Sequence, residues 1–117
     1  MQQGSSVLKQ KVLGYVGLAA KAGALLKGAD SVLDGIMRGR VVLVLVARDA
    51  GGIADVVARS CRENAVPMLS VVDKTDLGWQ LGRQSYAVVG LTSLELAQAI
   101  IKTVDQGQTA EKSGGVS

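Results

Sequence analysis

Apolar residues recur along the chain with two different periods, which predict helices and strands in turn. From Val7 to about Gly23, apolar side chains fall three or four positions apart, the spacing of one face of an amphipathic helix. The run VVLVLVA, residues 41–47, contains no polar position and predicts a central strand covered on both faces. Three shorter apolar runs predict further strands, at residues 24–26, 68–72 and 86–91. Helical patterns predict four more helices, at about 30–38, 53–64, 73–82 and 92–104.

Polar residues at the predicted helix starts indicate how those helices are capped. Asp30 or Ser31 is expected to cap the second helix, and Ser31 with Asp34 approximates a capping box. Gly39 is expected to end that helix. Residues 92–95, Thr-Ser-Leu-Glu, predict a capping box before the last helix.

Alternating helices and strands define the fold class. The order predicts an α/β protein, a three-layer α/β/α sandwich around a four-stranded mixed sheet. Residues 1–6 and 105–117 are polar and Gly-rich and offer no core residues, so both are expected to be disordered tails. The remainder, residues 7–104, is expected to form one domain.

Composition narrows the classes of function. The 117 residues carry 13 Lys and Arg against 10 Asp and Glu, a net charge of +3 that permits nucleic-acid binding without requiring it. The single cysteine, Cys61, cannot form an internal disulfide, which favours a reducing compartment. The first residues do not resemble a signal peptide and no apolar run approaches a membrane span. A cytoplasmic protein is expected.

The residue types that serve most enzymes are missing from the sequence. It contains no histidine, so the usual general base near neutral pH is absent, and Cys61 falls on an apolar helical stripe. The carboxylates stand mostly at helix starts, where capping accounts for them. Gly51-Gly52 lacks the spacing of a phosphate-binding loop. We therefore expect no enzymatic activity, no cofactor and no metal.

The segment KGADSVLDGIMR, residues 27–38, permits two interpretations. Its polar residues fall on one helical face and its apolar residues on the other, as in any amphipathic helix with a solvated outer side. Alternatively, Gly28 would let another backbone come close, and Lys27 beside the free N–H groups of a helix start would favour phosphate. Pattern alone leaves both open.

Several motifs resemble a known family. They are VGLAAKAG (residues 16–23), Gly28-Ala29-Asp30-Ser31, the Arg38-Gly39 pair before the Leu/Val strand, and Leu77-Gly78 followed by Gly82. Together, over about residues 9–101, the chain resembles the kink-turn-binding ribosomal proteins of the L7Ae/L30e type, and its small bacterial members best. The resemblance implies an α/β/α sandwich that recognises a sharp RNA bend flanked by tandem sheared G·A pairs.

The resemblance also implies an RNA-binding site. Gly28 matches the glycine of the family's signature segment, Asp30 takes its usual Asn position, Ser31 its Glu or Gln position, and Asp34 a position that is usually basic. The loop from Arg83 to Tyr86 would hold bases flipped out at the bend. The candidate RNA-binding residues are Lys21, Lys27, Gly28, Ala29, Asp30, Ser31, Asp34, Arg38, Arg48, Arg83, Gln84 and Ser85.

Two functions therefore remain open. The first is a non-catalytic protein that binds structured RNA, a kink-turn or ribosomal RNA, in a ribosome or another ribonucleoprotein. No DNA specificity and no membrane partner are expected. The second is a protein-interaction module on the same fold that has lost RNA binding, which the carboxylates Asp30 and Asp34 favour. Trp79, the only tryptophan, is expected to pack over the domain edge.

Overall fold

The computed structural model describes the backbone of residues 2–83 and 85–116, and the side chains of 7–83 and 85–107. Within these residues the chain forms five helices and four strands in alternating order. They are α1 (Gln2–Lys21), β1 (Leu25–Lys27), α2 (Ala29–Met37), β2 (Leu43–Val46), α3 (Ile53–Glu63), β3 (Met68–Leu69), α4 (Lys74–Leu81), β4 (Val88–Leu91) and α5 (Leu94–Val116). None of these helices is long and apolar enough to cross a bilayer.

The strands form a mixed sheet in the order β1-β4-β2-β3. β2 and β3 run parallel, whereas β4 runs antiparallel to both β1 and β2. Helices α1, α4 and α5 pack on one face of this sheet, and α2 and α3 pack on the other. The predicted three-layer α/β/α sandwich is therefore confirmed.

Strand β2 shows why the run at 41–47 carries no polar residue. Leu43 and Leu45 point into the core under α1, α4 and α5, whereas Val44 and Val46 point into the core under α2 and α3. All four side chains are buried. Because both faces of the strand are covered, a polar side chain at any of these positions would be desolvated.

Both terminal helices extend further than predicted. α1 begins at Gln2 and α5 ends at Val116, so each continues into a segment that the sequence predicts as a tail. The extension of α5 is explained by its packing against α1. A Cβ built on Gly107 would lie 3.2 Å from Leu8 Cδ1, so α5 still contacts α1 beyond Val104. The division into residues 1–6, 7–104 and 105–117 stays a prediction.

The start of α2 differs from its prediction. The N-cap is Gly28, and no side chain makes a capping hydrogen bond there, so the predicted caps at Asp30 and Ser31 are wrong. Asp34 does not complete a capping box either, because its carboxylate accepts a hydrogen bond from Arg38 Nε at 2.9 Å. The left-handed turn at Gly39, with φ of 72°, confirms the predicted helix end.

The last helix is capped one residue later than predicted. Ser93 Oγ accepts the Leu96 N–H at 3.2 Å, and the Ser93 carbonyl accepts the Ala97 N–H at 3.0 Å. Ser93, not Thr92, is therefore the capping residue. The buried stripe of α5 consists of Ala97, Ile100 and Val104.

The three most exposed large apolar side chains of the described residues are Leu94, Met37 and Trp79. Leu94, at the start of α5, is 60% exposed, and Met37, at the end of α2, is 72% exposed. Trp79 is 88% exposed, so the prediction that it packs over the domain edge is wrong. Helix α4 buries Leu77 and Gly78 instead, and turns the indole outward.

Ala65 carries backbone strain that a glycine would relieve. It has a φ of 56° and follows the last residues of α3 in a Schellman turn, in which the Val66 N–H donates to the Cys61 carbonyl at 2.9 Å. We expect Ala65→Gly to raise the free energy of unfolding by about 0.5–1 kcal/mol, since the Cβ penalty of this conformation disappears. Urea unfolding measures this change in the free energy of unfolding.

Ala58→Gly, in the middle of α3, is the control and should destabilise the protein by about 1 kcal/mol. Destabilisation by both substitutions would contradict the explanation that Ala65 is strained.

Candidate nucleic-acid interface

One edge of the sheet gathers the segments that the sequence singles out. The carboxyl ends of β1 and β2 lie beside the amino end of β4, because Lys27 pairs with Val89 and Val46 pairs with Val88. The end of the β3 segment joins them, since the Arg48 N–H donates to a carbonyl there, that of Val72, at 2.8 Å. We call this the loop edge: residues 27–31, 48–49, 72–74, 83 and 85–87.

Gly28 stands at the centre of the loop edge. Its N–H donates to the Val88 carbonyl at 2.9 Å, which fixes the start of α2 against the entry to β4. Its φ of 91° and ψ of 157° lie in a region that is open to glycine alone. A Cβ built on it would have no atom within 4 Å apart from those of Gly28 itself and its two chain neighbours. Glycine is therefore required by the backbone, and the space beside it is open to an external group.

The first turn of α2 faces outward beside Gly28. Lys27, Asp30 and Ser31 are exposed, and no side chain caps the helix. An uncapped start leaves the N–H groups of the first turn available to an external acceptor, and the helix dipole favours an anion there. Lys27 adds a positive charge at the same point.

The loop between α4 and β4 forms the other side of the loop edge. Its Arg83 N–H donates to the Gly78 carbonyl at 2.8 Å, and its Tyr86 N–H donates to the Lys74 carbonyl at 3.2 Å. The Ala87 carbonyl accepts the Ala47 N–H at 2.8 Å. Arg83 and Ser85 are exposed, whereas Gln84 lies outside the described residues.

Not all of the predicted residues lie at the loop edge. Lys21 precedes the start of β1, which pairs with Leu91 at the other end of β4. Arg38 is the C-cap of α2 and shortly precedes Val42 in the chain. The Val42 N–H donates to the Leu91 carbonyl at 2.8 Å, so Arg38 also lies towards the Leu91 end of β4. Arg38 also pairs with Asp34, one helical turn before it. RNA contact by Lys21, Asp34 and Arg38 stays a prediction, and the loop edge forms without them.

Arg48 lies at the loop edge, but it already has a partner. Its Nε and Nη2 donate to the two carboxylate oxygens of Asp73 at 2.9 and 3.2 Å. This pairing was not predicted, because the two residues are 25 positions apart and meet only through the order of the strands. The signal available in the sequence was an arginine after one strand and an aspartate after the next.

The Arg48 side chain lowers the pKa of Asp73 by hydrogen bonding to its carboxylate, and that of Arg48 is raised in return. The folded pKa of Asp73 thus lies below its ordinary value of 3.8. The pair is therefore ionised at neutral pH. Its contribution to stability is present above pH 3.8 and is lost only as the pH falls through the lowered pKa.

The remaining chemistry of the described residues is sparse. Cys61 is buried, as predicted, and burial raises the pKa of its thiol. No group of three His, Cys, Asp or Glu side chains within the described part of the chain is arranged to hold a metal ion. The loop edge thus offers two lysines, two arginines, three aspartates and three hydroxyl groups beside the backbone N–H groups of a helix start. The backbone N–H groups, the cationic side chains and the hydroxyl groups suit hydrogen bonding to a polyanion.

The fold and this edge define a class, an α/β/α sandwich with an uncapped, glycine-led helix at its loop edge. The model of the Ribosomal protein L7Ae/L30e/S12e/Gadd45 family matches residues 10–107. The chain therefore belongs to this family, which confirms the resemblance drawn from its motifs.

Relatives in the same family include ribosomal and RNA-binding proteins. The large ribosomal subunit protein eL8 of Thermoplasma volcanium is 31% identical over 105 residues, which cover 85% of this chain and 87% of that protein. The RNA-binding protein YlxQ of Bacillus subtilis is 32% identical over 91 residues, which cover 77% of this chain and 91% of that protein.

Solved structures share the fold. A protein of unknown function from Bacillus halodurans superposes with a TM-score of 0.77 at 28% identity, covering 81% of this chain and 97% of the other. The 15.5kD RNA binding protein of Giardia lamblia superposes with a TM-score of 0.71 at 24% identity, covering 87% of this chain and 88% of the other. The second likeness bears on the fold alone.

Proposed function

We propose that this protein is a non-catalytic RNA-binding protein that recognises a kink-turn-like bend with tandem G·A pairs, in a ribosome or another ribonucleoprotein. One observation carries the proposal: Gly28 holds a glycine-only conformation beside open space, where an uncapped helix start meets the loop that enters β4. Family membership and the names of its relatives support RNA as the ligand.

In this mechanism the protein acts as a rigid scaffold that reads the shape of the bend. The bent RNA backbone approaches Gly28, where no Cβ stands in its way. The N–H groups of the first turn of α2 and the Lys27 ammonium bind phosphate. Arg83 and Ser85 border the bases that are splayed out at the bend.

The carboxylates of α2 are compatible with this mechanism in different ways. Asp34 is paired with Arg38 at 2.9 Å, so it does not present an isolated negative charge to phosphate. Asp30 is exposed in the first turn, and its ionised carboxylate accepts hydrogen bonds without donating any. Asp30 therefore suits the amino and imino N–H groups of bases, and Ser31 can donate or accept beside it.

Lys27→Ala tests the phosphate contact in this proposal. We expect RNA binding to weaken by about three- to tenfold at low salt, with the slope of log Kd against log salt reduced by about one, because one counterion-releasing contact is lost. A filter-binding or fluorescence titration with a kink-turn RNA at several salt concentrations measures both quantities.

Lys102→Ala is the matched control for Lys27→Ala. Lys102 is an exposed lysine on α5, and its removal changes the net charge by the same amount. We expect its affinity and salt slope to stay close to those of the unmodified protein. Equal losses in both variants would mean that net charge alone, and not the loop edge, drives binding.

A further inference from the structure

A bidentate ion pair joins the end of β2 to the start of α4. Arg48 donates from Nε to Asp73 Oδ1 at 2.9 Å and from Nη2 to Oδ2 at 3.2 Å. This two-bond geometry fixes the orientation of both groups, since a fork of this kind is directional. The two side chains remain 47% and 37% exposed, so the pair lies within reach of solvent at the loop edge.

Three further contacts hold the same turn of α4. The Asp73 N–H donates to Asp76 Oδ2 at 2.9 Å, and the same carboxylate oxygen lies 3.1 Å from Lys9 Nζ. The Lys74 N–H donates to Asp49 Oδ1 at 2.8 Å. The first turn of α4 is thus tied both to the end of β2 and to α1.

The first turn of α4 also holds the loop between α4 and β4. The Lys74 carbonyl accepts the Tyr86 N–H at 3.2 Å, while the Arg83 N–H donates to the Gly78 carbonyl near the other end of α4. Helix α4 therefore acts as a frame to which the loop is attached at both ends. A shift of its first turn would move Tyr86 and, with it, the exposed Ser85.

We infer that Arg48 is a positioning residue: by pairing with Asp73 it sets the first turn of α4 and, through Lys74 and Tyr86, the shape of the loop that borders the bound nucleic acid. This revises the expectation that Arg48 itself contacts phosphate, because its donors Nε and Nη2 are already directed at Asp73. The inference rests on the proposed RNA-binding function for its consequence, but its structural part can be tested without RNA.

Arg48→Gln and Asp73→Ser separate positioning from direct contact, because the two roles predict opposite effects of Asp73→Ser. Serine is a good N-cap residue, so α4 keeps its cap while the carboxylate partner of Arg48 is removed. If Arg48 positions the loop, both variants bind kink-turn RNA about fivefold more weakly, as expected for an exposed ion pair worth up to about 1 kcal/mol. The salt slope of each should stay unchanged, since no phosphate contact is lost.

Two charge-matched variants serve as controls. Arg62→Gln, in the last turn of α3, removes one positive charge outside the loop edge, and Glu95→Gln, in the first turn of α5, removes one negative charge outside it. Both should bind RNA nearly as well as the unmodified protein.

Amide hydrogen exchange gives the readout that is independent of RNA. Without the ion pair, the Tyr86 N–H should exchange about fivefold faster in Arg48→Gln and Asp73→Ser, because its acceptor turn is less firmly held. The control variants should leave its exchange unchanged.

The outcomes distinguish the alternatives. Unchanged or tighter RNA binding by Asp73→Ser, together with a reduced salt slope in Arg48→Gln, would show that Arg48 contacts phosphate and would overturn the inference. Unchanged Tyr86 exchange in both variants would overturn it as well. If the unmodified protein fails to bind kink-turn RNA, the proposed function fails, whereas the exchange measurement still decides whether the pair positions the loop.

Discussion

Leu45→Ala is expected to lower the free energy of unfolding by about 3 kcal/mol, with a range of about 2–5 kcal/mol for a buried leucine that leaves a cavity. Leu45 is fully buried on β2 and pairs with Val89 on one side and Leu69 on the other. The loss is a large part of the roughly 5–15 kcal/mol that stabilises a domain of this kind. Urea unfolding measures it, and the dependence on denaturant should stay unchanged.

The exposed Leu94 provides the matched control for Leu45→Ala. The same substitution there removes a side chain that is 60% exposed at the start of α5. Leu94→Ala should change stability by no more than about 0.5 kcal/mol. A loss below about 1 kcal/mol at Leu45 would contradict the doubly covered position of β2, because removing three buried carbons at a close-packed site costs more.

Gly28→Ala is expected to have the second large effect, and it acts on both stability and binding. The φ of 91° and ψ of 157° are strained for any residue with a Cβ, so stability should fall by about 1–3 kcal/mol. Beyond the two adjacent residues the new Cβ meets no protein atom within 4 Å, so its methyl group occupies the space assigned to RNA. Kink-turn affinity should fall by about tenfold or more, equivalent to at least 1.4 kcal/mol.

Gly23→Ala separates strain from a clash with RNA. Gly23 also has a positive φ, 70°, and open space around its Cβ position, but it lies after α1 at the other end of β1. It should destabilise the fold by about 1–2 kcal/mol and leave RNA affinity unchanged at a temperature where both variants are folded. Equal losses of affinity in the two variants would place the interface elsewhere.

The layers of the fold could be predicted from the sequence because burial imposes a period on it. The unbroken run at 41–47 indicated a strand covered on both faces, and the helical stripe of α1 indicated a helix packed on the sheet. Local polar contacts were harder to predict. At α2 the backbone conformation of Gly28 replaced the expected side-chain cap, and Asp34 paired with Arg38 instead.

The candidate site was predictable where it depends on one segment and unpredictable where it depends on two. The segment from Lys27 to Ser31 carries its own signal, a glycine and a lysine before a helix. The Arg48–Asp73 pair has no signal within a single segment, since it forms only because the parallel pairing of β2 with β3 brings the end of β2 beside the start of α4. The exposure of Trp79 likewise depends on which side of α4 meets the core.

Recognition of a kinked RNA by the loop edge can be tested by one titration with two RNAs. The unmodified protein is titrated against a kink-turn RNA and against a control in which the tandem G·A pairs are replaced by Watson–Crick pairs, at two salt concentrations. Tight binding to the kink-turn alone, retained in part at the higher salt, is the predicted result. Weak or equal binding to both RNAs would show that the loop edge does not recognise a kink and would favour a protein-interaction module on the same fold.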